Sequence, residues 1–136
     1  MDIGEVMRGL ATAAATLTGV TTYDFFPFSI TEPAFVITNV ERTFDQSYNR
    51  GLDRLQVTCG LLVSKVNDAE SARSLYAYLA GSGPRSVKEA LEADPTLDGA
   101  CNDLTVTVGR VPRIIPIGTT EYFGAEFTID IDGDGE

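Results

Sequence analysis

The 136-residue chain contains no histidine, and that absence removes more function classes than any residue present. Histidine is the usual general base near neutral pH, the partner of a serine or cysteine nucleophile and the commonest metal ligand, so most hydrolase templates have no starting point here. Cysteine is nearly as scarce, with only Cys59 and Cys101. They fall on what read as separate strand regions, with neither metal-ligand nor redox spacing, which predicts two reduced, packed thiols and leaves a disulfide as the lesser alternative. Cations are also short: ten Lys and Arg face twenty Asp and Glu, a formal charge of −10. Gripping nucleic acid needs clustered cations, so DNA is not expected as an adhesive partner. No run approaches the ~18 consecutive apolar residues of a membrane span. The opening MDIGEVMRG lacks the basic-then-apolar pattern of a secretory signal, so a soluble protein, cytosolic when made and without a membrane partner, is expected. No phosphate-cradling Gly-Lys-Ser/Thr loop and no dinucleotide fingerprint occurs, and GSGPR from Gly81 reads as a helix stop and restart.

What is present is well-punctuated secondary structure. Asp2 with Glu5 forms a capping box, and Ile3, Val6, Met7, Leu10, Ala14 and Leu17 follow helical spacing up to Gly19. A second helix is predicted from an Asn67 cap, with Glu70 three residues on, an apolar stripe of Ala72, Leu75, Tyr76 and Leu79, and a left-handed end at Gly81. Pro84 or Ser86 opens a third, short helix. Ser86 and Glu89 form its capping box, Val87 and Leu91 share a face, and Asp94-Pro95 stops it.

Three segments alternate with a period of two: Leu55 to Ser64, Asp103 to Val108, and Tyr122 to Ile131. Each has one apolar side, whereas a parallel sheet buried on both faces would read as continuous apolar runs. Thr21 to Phe25 and Ala34 to Val40 are rich in β-branched and aromatic residues and read as two more strands, joined irregularly through PFSITEP. The expected fold class is α+β: a mainly antiparallel four- to five-stranded sheet with two to three helices packed on one face, the other face meeting water or another subunit. Residues 1–131 are expected to form one domain and 132–136 a frayed acidic tail. Glu41 to Arg54 is polar and reads as a long exposed hairpin arm or loop, while Pro112, Pro116 and Gly118 in RVPRIIPIGTTE argue against a regular strand there.

Taken together, SITEPAFVI from Ser29, RGLDRLQVT from Arg50 and above all YLAGSGPRSVKEALEADPTLDG from Tyr78 resemble the tail terminator proteins of long-tailed, non-contractile bacteriophages. The resemblance covers most of the chain. It implies a structural virion protein and no enzyme: a small α+β subunit that assembles, usually as a six-membered ring, on the head-proximal end of a finished tail tube. There it stops tube growth and offers a docking face. The implied partners are further copies of the chain, the major tail tube protein and the head-to-tail connector or stopper protein, with DNA passing through the ring without specific binding. No cofactor and no catalytic residue is implied. A stopper or completion ring at the same junction is the close alternative, because the same physical demands apply there.

Three groups of residues are candidates for contact or ligand chemistry. Asp130, Asp132 and Asp134, followed by Gly135, match the first positions of a calcium loop, but the chain reaches only the seventh position at Glu136, without the glutamate such a loop needs at its twelfth. A small calcium-binding module is therefore the lower-ranked reading, and solvated tail aspartates the preferred one. Arg42, Arg50 and Arg54 cluster in the polar arm, either as a solvated face or as a docking surface, with Arg50 the favoured contact. Ile114, Ile115 and Ile117 either tuck under the sheet edge or form a subunit or tube contact. An acidic ring wall would suit a DNA conduit by repelling phosphates, although net charge also serves solubility alone.

Overall fold

The computed structural model describes residues 2–17, 19–44, 52–64 and 69–134, with the backbone alone at 52, 71, 72, 111–113 and 134. Helix α1 spans Ile3–Ala14, and the Asp2 side chain caps it by accepting the Glu5 N–H. Its inward stripe is Val6, Met7, Leu10 and Ala14. Past Ala14 the chain tightens, Leu17 N–H donating to the Ala14 carbonyl at 3.0 Å, and Gly19 takes the left-handed conformation at φ +78. Helix α2 spans Ala69–Tyr78; the expected Asn67 cap and the Ala72 side chain lie outside the described residues. Two expectations for this helix need correction. Tyr76 is exposed at 61%, and Tyr78, not Tyr76, joins Leu75 in the core. Each helical residue turns about 100° from the last, so Leu75 and its neighbour cannot both face straight inward, and the i+3 residue takes the buried place. Nor does Gly81 form a left-handed end: the positive φ falls two residues later, at Gly83.

Helix α3, Val87–Glu92, is capped by Ser86, whose Oγ accepts the Glu89 N–H at 3.1 Å and donates to the Ala80 carbonyl at 2.6 Å. Only half of the capping box forms. Glu89 Oε2 accepts from Gly83 N–H at 2.6 Å, because the Ser86 N–H already donates to the Gly83 carbonyl. After α3, Leu97, Asp98 and Gly99 are all left-handed, at φ 50, 57 and 88. That turn drives Leu97 against α1 at Gly9, where an added Cβ would lie 2.9 Å from Leu97 Cβ.

The strands are β1 Thr21–Thr22, β2 Ala34–Thr43, β3 Leu52–Ser64, β4 Asp103–Ile117 and β5 Thr120–Asp134. They form one five-stranded sheet in the order β1-β2-β3-β5-β4. Only the short β1–β2 pair is parallel. The expected Thr21 to Phe25 strand is thus reduced to two residues. The polar arm is a continuation of the β2–β3 ladder, with Glu41 opposite Gln56 and Thr43 opposite Arg54, and its tip at 45–51 lies outside the described residues.

The largest departure is β4, which runs unbroken through Pro112 and Pro116. It is the outermost strand, so those prolines sit where a ladder donor is not required on one side. The predicted irregularity survives as two register shifts, at Val106/Val108 and Arg110/Arg113.

Parity then assigns the faces. Leu55, Val57, Cys59 and Leu61 of β3, with Ala125, Phe127, Ile129 and Ile131 of β5, lie under all three helices in the main core. The opposite face is split. At one end Ala34, Val36, Leu62, Ile115, Ile117 and Tyr122 make a second small core, closed by Tyr23 and Ile30 from the segment between β1 and β2. That segment crosses the sheet as a strap, and the Phe28 carbonyl reaches the Gly118 turn between β4 and β5. The second face therefore meets its own chain at this end, rather than only water or a second subunit.

Close approach of β3 and β5 makes Gly124 a test of this packing. A Cβ there would collide with the Leu61 carbonyl oxygen and with Leu62. Gly124→Ala is expected to destabilise by about 2 kcal/mol, as overpacking does. Gly81→Ala, in open space, should change stability by less than about 0.5 kcal/mol. Urea denaturation of both variants checks the contrast.

Candidate functional site

Of the three arginines expected to cluster, the two among the described residues, Arg42 and Arg54, do not. Arg42 pairs with Leu55 in the ladder and so lies on the helix-covered face, whereas Arg54 pairs with Asp132 on the opposite face. Arg50 lies outside the described residues. Arg42 is no solvated cation either: its Nε donates to Asp53 Oδ2 at 2.9 Å, its side chain is 11% exposed against 4% for Asp53, and its guanidinium stacks 5.2 Å from the Phe44 ring centroid. It locks the root of the β2–β3 hairpin. Arg54, half exposed, donates from Nε to Asp132 Oδ1 at 2.9 Å, and the hydrogen bond and charge of Asp132 raise its pKa.

The aspartates expected to fray are in the ladder. Asp130 lies opposite Gln56, Asp132 opposite Arg54 and the Asp134 backbone opposite Leu52, so the three are alternate residues of β5, and Asp130 and Asp132 share one face. Alternate strand residues are about 6.8 Å apart along the axis and diverge from no common centre, unlike the ligands of a calcium loop, which curl around one point. The loop on which the calcium reading depends is not formed through Asp134. Glu41, Asp103 and Glu126 join Asp130 and Asp132 on this open half of the second face, with Arg54 and Arg110 among them and Thr58, Thr105 and Thr128 between them.

The isoleucines divide by parity. Ile115 and Ile117 are in the second core, while Ile114 faces the other way and is 63% exposed. Tucking in holds for two of the three, and Ile114 alone stays available for contact. Other large apolar side chains at the surface are Phe25, Phe26 and Phe28 of the strap, at 53–84% exposure, Phe44 at the end of β2, Tyr76 on α2 and Val108 on β4. The sequence reading places Phe25 at a strand end and Phe28 in the irregular PFSITEP connection, so the break at Pro27 was legible and the exposure of the aromatic side chains was not.

A second unanticipated feature guards the outer edge of β4. Val106 turns its backbone away from β5: its N–H donates to Glu92 Oε2 at 2.8 Å, and its carbonyl accepts from Lys88 Nζ at 3.2 Å. Lys88 also donates to Glu92 at 2.6 Å. An i,i+4 ion pair on α3 thus occupies the strand positions at which another chain would add. The i,i+4 spacing was visible in the sequence; its backbone target was not.

A groove of about 630 Å³ runs between α1 and the 94–100 turn and is bordered by Glu5, Arg8, Thr12, Asp94 and Asp98 among small residues. Asp94 is committed to its own turn, accepting from Asp98 N–H at 2.9 Å and from the Thr96 hydroxyl. Both cysteines are free and buried, as expected. Burial pushes the Cys59 thiol up, and burial with the Asp103 and Asp94 charges pushes Cys101 up to about 11, so neither is a thiolate near neutral pH. Among the described residues no helix is long and apolar enough to cross a membrane, and no group of three or more Cys, Asp or Glu side chains is arranged to hold a metal ion. No protein-family model and no curated protein matches the chain.

Two measurements test these ties. Asp53→Ala removes the carboxylate beside a buried guanidinium and is expected to cost about 3 kcal/mol, whereas Arg54→Ala, at an exposed pair, should cost no more than about 1 kcal/mol; thermal melts separate them. For Glu92, burial raises the carboxyl pKa, but the Lys88 and Val106 hydrogen bonds and the Lys88 charge outweigh it and the net shift is downward. A carboxyl with a depressed folded pKa stabilises above its unfolded pKa and loses that contribution as pH falls through the folded one. Glu92→Gln is therefore expected to cost about 1 kcal/mol at pH 7, with the difference from wild type shrinking through the acid range in paired pH-dependent denaturation curves.

Proposed function

We propose that this chain is a phage tail terminator, a ring subunit that caps the head-proximal end of a long non-contractile tail tube, stops its polymerisation and docks the head. The reading is carried by the run from Tyr78 to Thr107. Its wording resembles that family, and it folds as a coherent unit: the end of α2, the Ser86-capped α3, a left-handed turn, and the start of an edge strand that α3 itself guards. Two further observations support a structural role. The open half of the second face carries carboxylates with threonines between them, a surface that repels phosphate and suits a wall past which DNA slides. The chain also places exposed aromatic and aliphatic side chains at both margins of its sheet, where a subunit of an assembly needs contacts.

Tube subunits stack through one repeated heterologous interface, which has no intrinsic end, so growth stops only when a different ring occupies the growing face. Phage lacking this protein should make tubes that overrun their normal length and fail to join filled heads, while the heads themselves are normal. Electron microscopy of tail lengths in the deletion background is the decisive measurement. Tubes of normal length beside heads that leak DNA would overturn the terminator reading in favour of a stopper at the same junction.

A further inference from the structure

The strap over the second core, residues 24–32, is tied to the rest of the fold mainly at its root. Its two ends stand side by side: Thr21 N–H donates to the Pro33 carbonyl and Tyr23 N–H to the Phe35 carbonyl, both at 2.9 Å. The strap is thus a loop whose ends meet on one scaffold, and lifting it breaks neither bond. Among the described residues no backbone hydrogen bond joins 24–30 to the sheet. Thr31 N–H donates at 3.1 Å to the Tyr23 hydroxyl, a side chain rather than a ladder carbonyl.

Apolar contact holds the strap little better. Ile30, and Tyr23 at the root, are only partly buried against the second core, and Pro27 is the one buried strap residue. Phe25, Phe26 and Phe28, the side chains with most surface to contribute to closure, turn outward instead, at 58%, 53% and 84% exposure. The second core beneath is a cluster separate from the main one, so uncovering it leaves the three helices and their face of the sheet packed. A segment with few buried contacts and few backbone bonds opens at a lower free energy than the core it rests on.

We propose that residues 24–32 are a latch that opens as one unit while the main core stays folded. The chain then alternates between a closed form and an open form that bares the apolar second face around Leu62, Ile115 and Ile117. Tyr23 stays on the sheet through its backbone bond to Phe35, so the moving part is Asp24 to Glu32 and the bond that gives way is the one from Thr31 to the Tyr23 hydroxyl. The latch is a property of the single chain and stands or falls independently of the terminator role.

Leu62 and Cys59 provide the test, because both are fully buried on β3 but face opposite sides, Leu62 towards the strap and Cys59 towards the helices. Strand β3 is interior to the sheet, so fraying at an edge reaches neither. In full-length Leu62→Cys, alkylation by iodoacetamide, read position by position by mass spectrometry, should modify the introduced thiol at least about tenfold faster than Cys59, which the main core protects until global unfolding. Ile30→Ala in that background removes a strap anchor and should speed the introduced thiol about tenfold further, while Cys59 keeps its rate. Equal rates at the two positions, or acceleration of both together by Ile30→Ala, would overturn the latch, since the strap would then open only with the whole fold. Amide exchange of the unsubstituted chain covers the case in which Leu62→Cys itself loosens the second core. Exchange at Thr31 should proceed through an opening whose free energy falls with added urea, but less steeply than that of β3 and β5. Independence from urea would reduce the strap to local fraying, and a slope equal to that of β3 would make it part of global unfolding; either result overturns the proposal.

Discussion

Everything in this structure depends on the burial of one face of β3 and β5 beneath three helices. Leu55, Val57, Cys59 and Leu61 lie beside Ile131, Ile129, Phe127 and Ala125 in a single register, and a one-residue slip would turn one strand's four outward. That register also fixes the reverse side. Once the odd-numbered residues of β3 face the helices, Arg54, Gln56, Thr58 and Leu62 must face away, and the chain has to supply two different environments for them.

It does so by dividing the second face. The strap covers Leu62 and its apolar neighbours at one end, and the other end remains a polar surface of carboxylates, threonines and two arginines. The same division spares the protein a large exposed apolar sheet while leaving its margins available.

Much of the fold was legible in the sequence because period-two alternation and helix caps are local signals. The Asp2 and Ser86 caps, the buried stripes of β3 and β5 and the packed thiols all follow from neighbours within a few residues. What was not legible depends on position in the sheet. Pro112 and Pro116 are compatible with strand only because β4 is outermost, and strand order is not written in any local pattern. Arg42 and Arg54 appear as neighbours in a polar run, yet pairing across a turn sends them to opposite faces. The strap was missed for the same reason: Tyr23 reads as a strand residue and Ile30 as part of an irregular connection until the surface they cover, built from β2, β3, β4 and β5, is assembled.

The Lys88–Glu92 guard bears on how the protein tolerates acid. Acidification removes the net negative charge that holds separate molecules apart, and most surface carboxylates lose their charge together. Glu92, with its depressed pKa, stays ionised after ordinary carboxylates have begun to neutralise, so the backbone at Val106 remains occupied when mutual repulsion has already faded. Colloidal repulsion and edge closure are thus lost in sequence rather than together. Proteins precipitated by mild acid should come down with native sheets intact, and redissolve, before any strand-to-strand growth can begin at that edge.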